Sequence, residues 1–134
     1  MSRSAYVRPR PDAPLDSWAH RLVAPETLDY VRSGPALDLW ACSELVDGAY
    51  GRDDRPLEEA YDHPGTSRRL GVLAGTAREL GARRNQVVLA WLLGGDPGVF
   101  PIVGASTVER LDEVMDAGEL TPDPELRARL DTVT

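Results

Sequence analysis

The chain has 134 residues, 42% of them hydrophobic and 28% charged, which suits one soluble domain and excludes two of ordinary size. A formal net charge of -7, from 22 acidic and 15 basic residues with no basic stripe, argues against a nucleic-acid partner. No apolar run reaches the roughly 18 residues of a membrane span, and the N-terminus lacks the apolar core of a signal peptide, so we expect no membrane partner and a cytoplasmic location.

The first 24 residues are interrupted by Pro9, Pro11 and Pro14, which cannot donate backbone hydrogen bonds. We expect only residues 4–7 of this segment to form a short strand. We therefore expect residues 1–24 to form an arm, with the main structural segment covering residues 25–134.

Residues 25–34 begin with proline, carry acidic residues in the first turn and end in glycine, and these signals predict a helix. Residues 36–42 are short, apolar and bounded by turn residues, as in a strand buried on both faces. Residues 43–65 are rich in Gly, Pro and Asp and are predicted to form a loop. A loop of that length within a compact domain is often functional.

Residues 66–80 place their apolar side chains on one helical face, and Gly81 follows as a plausible C-cap. Residues 85–93 are apolar nearly all round and lie between turn residues. Their Ala, Leu and Gln content favours a buried helix over a strand.

Residues 99–103 are predicted to form a second apolar strand. It leads into a helix whose first turn has the capping-box pattern, with Ser106 as the N-cap and Glu109 three residues later. A last helix over residues 124–132 is predicted to be capped by Asp123.

The predicted order of elements is typical of an α/β fold with about three short parallel strands and flanking helices. Such a slice of a sheet leaves hydrogen-bonding edges and an apolar face uncovered. We therefore expect a homodimer or a complementing chain to cover them.

Several segments resemble the C-terminal part of the aldo/keto reductases. These are Val87-Val-Leu-Ala-Trp-Leu-Leu93, then Pro101-Ile-Val-Gly-Ala-Ser-Thr-Val-Glu-Arg-Leu-Asp-Glu113, then Leu120-Thr-Pro and Leu126-Arg-Ala-Arg-Leu-Asp131. Upstream, Leu39-Trp-Ala-Cys-Ser-Glu-Leu45 is similar to the family's Leu-Ala-Tyr-Ser-Pro-Leu strand, and residues 50–65 resemble one bacterial branch.

The resemblance implies a partial (β/α)8 barrel, because a complete barrel takes about 250 residues. The part present would be roughly the sixth to eighth strands with the terminal helices. It also implies a role in small-molecule metabolism.

The family holds the adenosine 2′-phosphate of NADP at the segment after the eighth strand. By position, the resemblance assigns cofactor binding to Gly104, Ala105, Ser106, Arg110 and Glu113, and places Ser43 and Leu45 beside the pyrophosphate. The local chemistry agrees, since a capped helix N-terminus offers amides and a hydroxyl to a phosphate, and an arginine one turn on adds a charged donor. Val114 stands where the family usually has Asn.

The family reduces carbonyls with an Asp, Tyr, Lys and His tetrad from the first half of its barrel. All fifteen basic residues of this chain are arginines, so a lysine must come from another chain. Cys42 also replaces the tyrosine that stacks on the nicotinamide. The resemblance therefore implies an NADP-binding segment that is not a competent carbonyl reductase alone, with Tyr6, Trp40 and Cys42 at the substrate pocket.

Two other functions stay open. Strand alternation places Trp40, Cys42 and Glu44 on one side, where a desolvated Glu44, with His63, would suit a cofactor-independent cyclase or isomerase. The chain is alternatively an assembly subunit that completes a split reductase.

These residues also have plainly structural interpretations. Ser and Thr at a helix start are usually caps, and a surface arginine is usually solvated. The single cysteine permits no internal disulfide, and two histidines with scattered acidic residues do not predict a metal site.

Overall fold

The computed structural model describes residues 6–13, 23–34, 36–42, 45–52 and 54–133. Seven helices and strands lie in these ranges, separated by short 3-10 turns at Val46–Gly48, Glu59–Tyr61 and Ala117–Glu119. In chain order they are α1 (Pro25–Ser33), β1 (Leu39–Cys42), α2 (Pro64–Leu80), α3 (Arg84–Leu93), β2 (Val99–Ile102), α4 (Val108–Asp116) and α5 (Pro124–Thr132).

The two strands form a parallel sheet in which Leu39 pairs with Val99 and Cys42 with Ile102. The intervening α2 and α3 make the long connection that a parallel pair requires. Alternation along the strands buries Ala41 and Val99 on the side that faces the helices. This confirms the predicted α/β fold with parallel pairing.

The predicted number of strands is not confirmed, because the described residues contain two strands rather than three. Tyr6 and Val7 form a bend whose backbone N–H groups donate to the Tyr50 hydroxyl at 3.0 and 3.2 Å. Their amides are thus bound to a side chain instead of a neighbouring strand; residues 4–5 lie outside the described residues. The strand predicted over residues 36–42 is limited to Leu39–Cys42.

The core is built around α3, which is buried over most of its surface as its continuous apolar sequence predicts. Leu73 and Ala77 of α2 and Leu130 of α5 pack in the same core. Tyr6, Val7 and Ala13 belong to it as well. The described part of the predicted arm therefore packs into the core of the main segment.

The helix ends agree with the sequence in part. Asp123 caps α5 as predicted, with its carboxylate accepting from the Leu126 N–H at 2.9 Å, and Gly81 ends α2 in the left-handed region at φ 61°. The capping box predicted at Ser106 and Glu109 is wrong by one residue. The N-cap of α4 is Thr107, whose hydroxyl accepts from the Arg110 N–H at 3.3 Å.

Candidate functional site

A groove of about 1110 Å³ opens where the carboxyl ends of the two parallel strands meet. Cys42 contributes from the end of β1, and Val103 and Gly104 follow the end of β2. Ligands of α/β proteins commonly bind at this end of parallel strands, because the connecting loops and helix N-termini converge there. The position of the groove makes it the candidate site.

The groove is strongly cationic, so we call it the arginine groove. Its lining contains two carboxylates, Asp47 and Glu113, against six arginines: Arg52, Arg55, Arg78, Arg83, Arg84 and Arg110. The protein as a whole carries a net charge of -7, so the positive charge is a local property of this surface. A concave cationic site attracts anionic ligands.

Hydrogen bonds hold several groove arginines in place. The Arg83 guanidinium donates to the Glu113 carboxylate at 2.7 Å, and the Arg84 guanidinium donates to the Tyr50 carbonyl at 3.1 Å. The Arg52 guanidinium donates to Asp54 at 2.6 Å, and this hydrogen bond lowers the pKa of the Asp54 carboxyl. The donors are thus partly oriented by the protein itself.

The turn between β2 and α4 borders the arginine groove. Gly104, Ala105 and Ser106 are exposed, and a Cβ at Gly104 would meet no heavy atom within 4 Å. The Arg110 guanidinium donates to the Ser106 hydroxyl at 3.2 Å. An exposed turn, a helix N-terminus and a guanidinium therefore meet at one end of the groove, an arrangement that suits a phosphate.

Most residues predicted to bind the cofactor lie together. Leu45, Gly104, Arg110 and Glu113 line the arginine groove. Ala105 and Ser106 lie in the turn beside it, and Ser43 is outside the described residues.

The structure separates the residues predicted for the substrate pocket. Cys42 lines the arginine groove, whereas Trp40 stacks on Phe100 with ring centroids 5.2 Å apart and is absent from the lining. Tyr6 lies in the core with its ring edge-on to Trp91 at 5.3 Å. Burial raises the pKa of Tyr6 to about 12. Tyr6 is therefore a core residue and presents no surface to the groove.

His63, one of the two predicted acid/base residues, caps α2. Its Nδ1 accepts from the Gly65 N–H at 3.2 Å, and its Nε2 lies 2.8 Å from the Arg8 carbonyl oxygen. The ring lines a separate cavity of about 470 Å³. The imidazole thus links the arm to the start of α2, away from the arginine groove. Glu44, the other predicted acid/base residue, lies outside the described residues.

Sequence reasoning missed five of the six groove arginines and also Asn85. The Asn85 side-chain oxygen is buried without a hydrogen-bond partner in the described part of the chain, and Asn85 lines the groove. The adjacent Arg83 and Arg84, just ahead of the apolar run of α3, were the sequence signal that could have revealed the groove.

Within the described ranges, no three His, Cys, Asp or Glu side chains lie close enough together to bind a metal ion. None of the helices there is long and apolar enough to cross a bilayer.

The chain is similar in sequence and in structure to known aldo/keto reductases. The aldo/keto reductase family model matches residues 38–134, which is more than half of the chain. Among solved structures, the chain is similar to a thermostable aldo-keto reductase crystallised with the inhibitor epalrestat, with 28% sequence identity and a TM-score of 0.62. The match covers 81% of this chain and 33% of that one, so the chain spans about a third of the length of that reductase. Because the matched segment includes both strands, the Gly104 turn and most of the groove lining, we conclude that the chain belongs to the aldo/keto reductase family.

Proposed function

We propose that the chain binds the adenosine-phosphate end of NADP(H) in the arginine groove and does not reduce carbonyl compounds without a further polypeptide. The observation that carries this proposal is that six arginines line the groove to which the exposed Gly104 turn also contributes. Membership of the aldo/keto reductase family supports NADP(H) as the anion. The similar reductase is about two and a half times as long as this chain, since 81% of this chain matches 33% of that one.

The chemistry of the groove fits this cofactor. Guanidinium groups bind phosphate oxygens with two parallel donors, and hydrogen bonds to charged groups contribute about 1.5–3 kcal/mol each. NADP(H) supplies hydride-transfer chemistry when bound, and the protein supplies the phosphate contacts.

The 2′-phosphate gives the expected selectivity. Arg110 and Ser106 lie one helical turn apart and share a hydrogen bond, so a phosphate at this turn meets a charged and a neutral donor together. NADH lacks that phosphate and forfeits these contacts. The groove should therefore favour NADPH over NADH.

The groove is poor in proton donors for carbonyl reduction. The side chains that line it include no Tyr, His or Lys among the described residues. Cys42 is the lining residue at the end of β1, and the sequence contains no lysine. Binding without reduction is the function that this composition supports.

Titration of the purified chain with NADPH and NADH tests both parts of the proposal. We expect saturable NADPH binding, at least tenfold tighter than NADH, and a carbonyl-reduction rate at background. Equal affinity for the two cofactors, or no saturation at millimolar NADPH, contradicts the binding site. Reduction of a carbonyl substrate by the pure chain contradicts the requirement for a further polypeptide.

The cofactor-independent cyclase or isomerase stays a prediction. It rests on Glu44 and His63, and no described contact favours it. Both ring nitrogens of His63 are within hydrogen-bonding distance of protein atoms.

A further inference from the structure

Glu113 places a carboxylate inside a groove that should bind phosphate. Its side chain is 17% exposed and lines the arginine groove beside Val114. A negative charge at this position repels an anionic ligand. Asp47, the other carboxylate of the groove lining, is exposed and offers a comparison. The contacts that Glu113 makes within the protein therefore decide what it does in the groove.

Three hydrogen bonds connect Glu113 of α4, Gln86 of α3 and Arg83, which directly precedes α3. The Arg83 guanidinium donates from Nη1 to Glu113 Oε2 at 2.7 Å. The Gln86 side-chain amide donates to the Glu113 backbone carbonyl at 3.1 Å, and its side-chain oxygen accepts from the Arg83 backbone N–H at 2.9 Å. The contacts form a closed ring in which each residue is bonded to the other two.

This ring fixes the direction of the Arg83 side chain. The side chain is 76% exposed, and a long, exposed side chain ordinarily samples many rotamers. Gln86 holds the backbones of Arg83 and Glu113 close together, so the ion pair forms between groups that are already near each other. An exposed ion pair contributes little to stability. The main effect of Glu113 is therefore on the orientation of the guanidinium.

Arg83 is placed to contact the nucleoside next to the 2′-phosphate. Arg110, Glu113 and Val114 all line the groove, and their spacing puts them on one face of α4. A ligand whose phosphate binds at Arg110 reaches the Arg83–Glu113 pair about one helical turn further along that face. A guanidinium with one N–H bound to a carboxylate keeps its other donors and its planar face for the ribose and the base.

We infer that Glu113 is a positioning residue for the nucleotide site: it holds the Arg83 guanidinium toward the ligand and does not bind the ligand itself. The inference rests on the proposed binding of NADP(H) in the arginine groove. It changes the role that the family motif implies for Glu113, from a cofactor ligand to the support of an arginine that lies outside the motif. Orientation of the guanidinium outweighs the repulsion between the carboxylate and the phosphates.

A double-mutant cycle on Glu113 and Arg83 separates this role from two others. If Glu113 bound the ligand directly, Glu113→Met would weaken NADPH binding whether or not Arg83 is present. If Glu113 acted only through its charge, the same substitution would tighten NADPH binding in both backgrounds. A positioning role predicts weaker binding when Arg83 is present, and equal or tighter binding when Arg83 is absent.

The experiment is fluorescence titration of NADPH with the full chain and with Arg83→Met, Glu113→Met, the double variant and Asp47→Asn. Methionine keeps an unbranched stem and suits a helix, and asparagine tolerates the left-handed backbone of Asp47 at φ 55°. We expect Glu113→Met to weaken binding about fivefold and Arg83→Met about tenfold, with the double variant binding at least as tightly as Arg83→Met. Asp47→Asn removes the comparison carboxylate and should tighten binding about threefold.

Circular dichroism checks that each variant is folded. Glu113→Gln keeps an acceptor for Arg83 and should bind NADPH with an affinity between those of the natural protein and Glu113→Met; it carries the same cycle if Glu113→Met does not fold. The inference is overturned if loss of the carboxylate fails to weaken NADPH binding, or if it still weakens binding once Arg83 is absent. Absence of NADPH binding by the natural protein contradicts the proposed function, and the inference falls with it.

Discussion

Arg110 takes part in the cap of α4 and also places a positive charge beside the turn that precedes this helix. Its backbone N–H donates to Thr107, and its guanidinium reaches the Ser106 hydroxyl. We expect Arg110→Gln to weaken NADPH binding about tenfold, or about 1.4 kcal/mol, and to change NADH binding little. Fluorescence titration of both cofactors measures the difference.

Arg129→Gln is the matched control for that substitution. Arg129 forms an ion pair with Glu79 at 2.6 Å and is not among the residues that line the arginine groove. Its loss should leave NADPH affinity unchanged. If both substitutions weaken binding equally, general charge attraction and not a specific contact explains the affinity.

Tyr6 predicts a pH-dependent stability in the alkaline range. Burial is the main cause that raises the folded-state pKa of Tyr6 to about 12, above its ordinary value of 10.0. The unfolded chain therefore releases the Tyr6 proton first as the pH rises. The stabilisation is fully present below about pH 10 and is lost between pH 10 and 12, by about 2 kcal/mol.

Urea unfolding at pH 8.5 and 11 checks this against Tyr6→Phe. The Tyr6 hydroxyl has no hydrogen-bond partner in the described residues, so its removal costs no bond. The variant should lose less stability than the natural protein over that pH interval. Equal losses would show that other groups account for the effect.

The family motif names Gly104, Arg110 and Glu113, and all three line the arginine groove. Their role in binding a cofactor stays a prediction. The burial of Tyr6 was not predictable from the sequence. Tyr6 contacts Trp91 and Tyr50 in the core, although these residues are 85 and 44 positions away along the chain. Long-range packing of this kind leaves no local signal.

At the scale of elements, α2 contains a matched pair of glycines. Gly81 ends the helix at φ 61°, where an L side chain is strained although no atom obstructs its Cβ. Gly71 lies exposed within the helix and its Cβ would also meet nothing within 4 Å. We expect Gly81→Ala to destabilise the protein by about 1 kcal/mol and Gly71→Ala to stabilise it by about 0.5–1 kcal/mol.

Thermal or urea unfolding of the two variants gives both signs in one experiment. Because neither substitution creates or removes a packing contact, the difference reports backbone conformation alone. Destabilisation by both would mean that α2 is held by something other than its helical geometry.

The elements themselves were largely predictable. The apolar run of α3 and the Asp123–Pro124 start of α5 are strong local signals, and both were correct. The start of α4 was misplaced because Ser106 and Thr107 are adjacent hydroxyl residues and either suits a cap. Within the described part of the segment predicted as a third strand, Tyr6 does not pair with a strand, because its backbone N–H donates to the Tyr50 hydroxyl, 44 positions away.

At the scale of the whole molecule, we expect local stability against unfolding to be highest in α3 and lower in the elements that lie outside the core. Its residues Val87, Val88 and Leu92 lie in the core, whereas α1 has no fully buried residue. Hydrogen exchange of the isolated chain should therefore be slowest in α3 and fast in α1, by several orders of magnitude. Comparable protection of α1 and α3 would contradict a core centred on α3.

The arginine groove could not be predicted as a whole from the sequence. Its arginines come from the loop after β1, the end of α2, the start of α3 and the first turn of α4. In a chain with excess acidic residues, only the fold separates these cations from the surrounding carboxylates. The exposed apolar side chains of the sheet, Trp40, Phe100 and Ile102, were easier to anticipate, since a two-stranded slice of a parallel sheet leaves one side uncovered.

The exclusive use of guanidinium groups fixes how the arginine groove responds to acidity. Arginine keeps its proton throughout the range in which cells live, unlike an ammonium placed in a cationic cluster. The electrostatic pull of the groove is therefore constant from mildly acidic to mildly alkaline surroundings. A change in the affinity for a phosphate ligand over that pH range would therefore come from the ligand, because the second ionisation of a phosphate monoester lies near neutral pH.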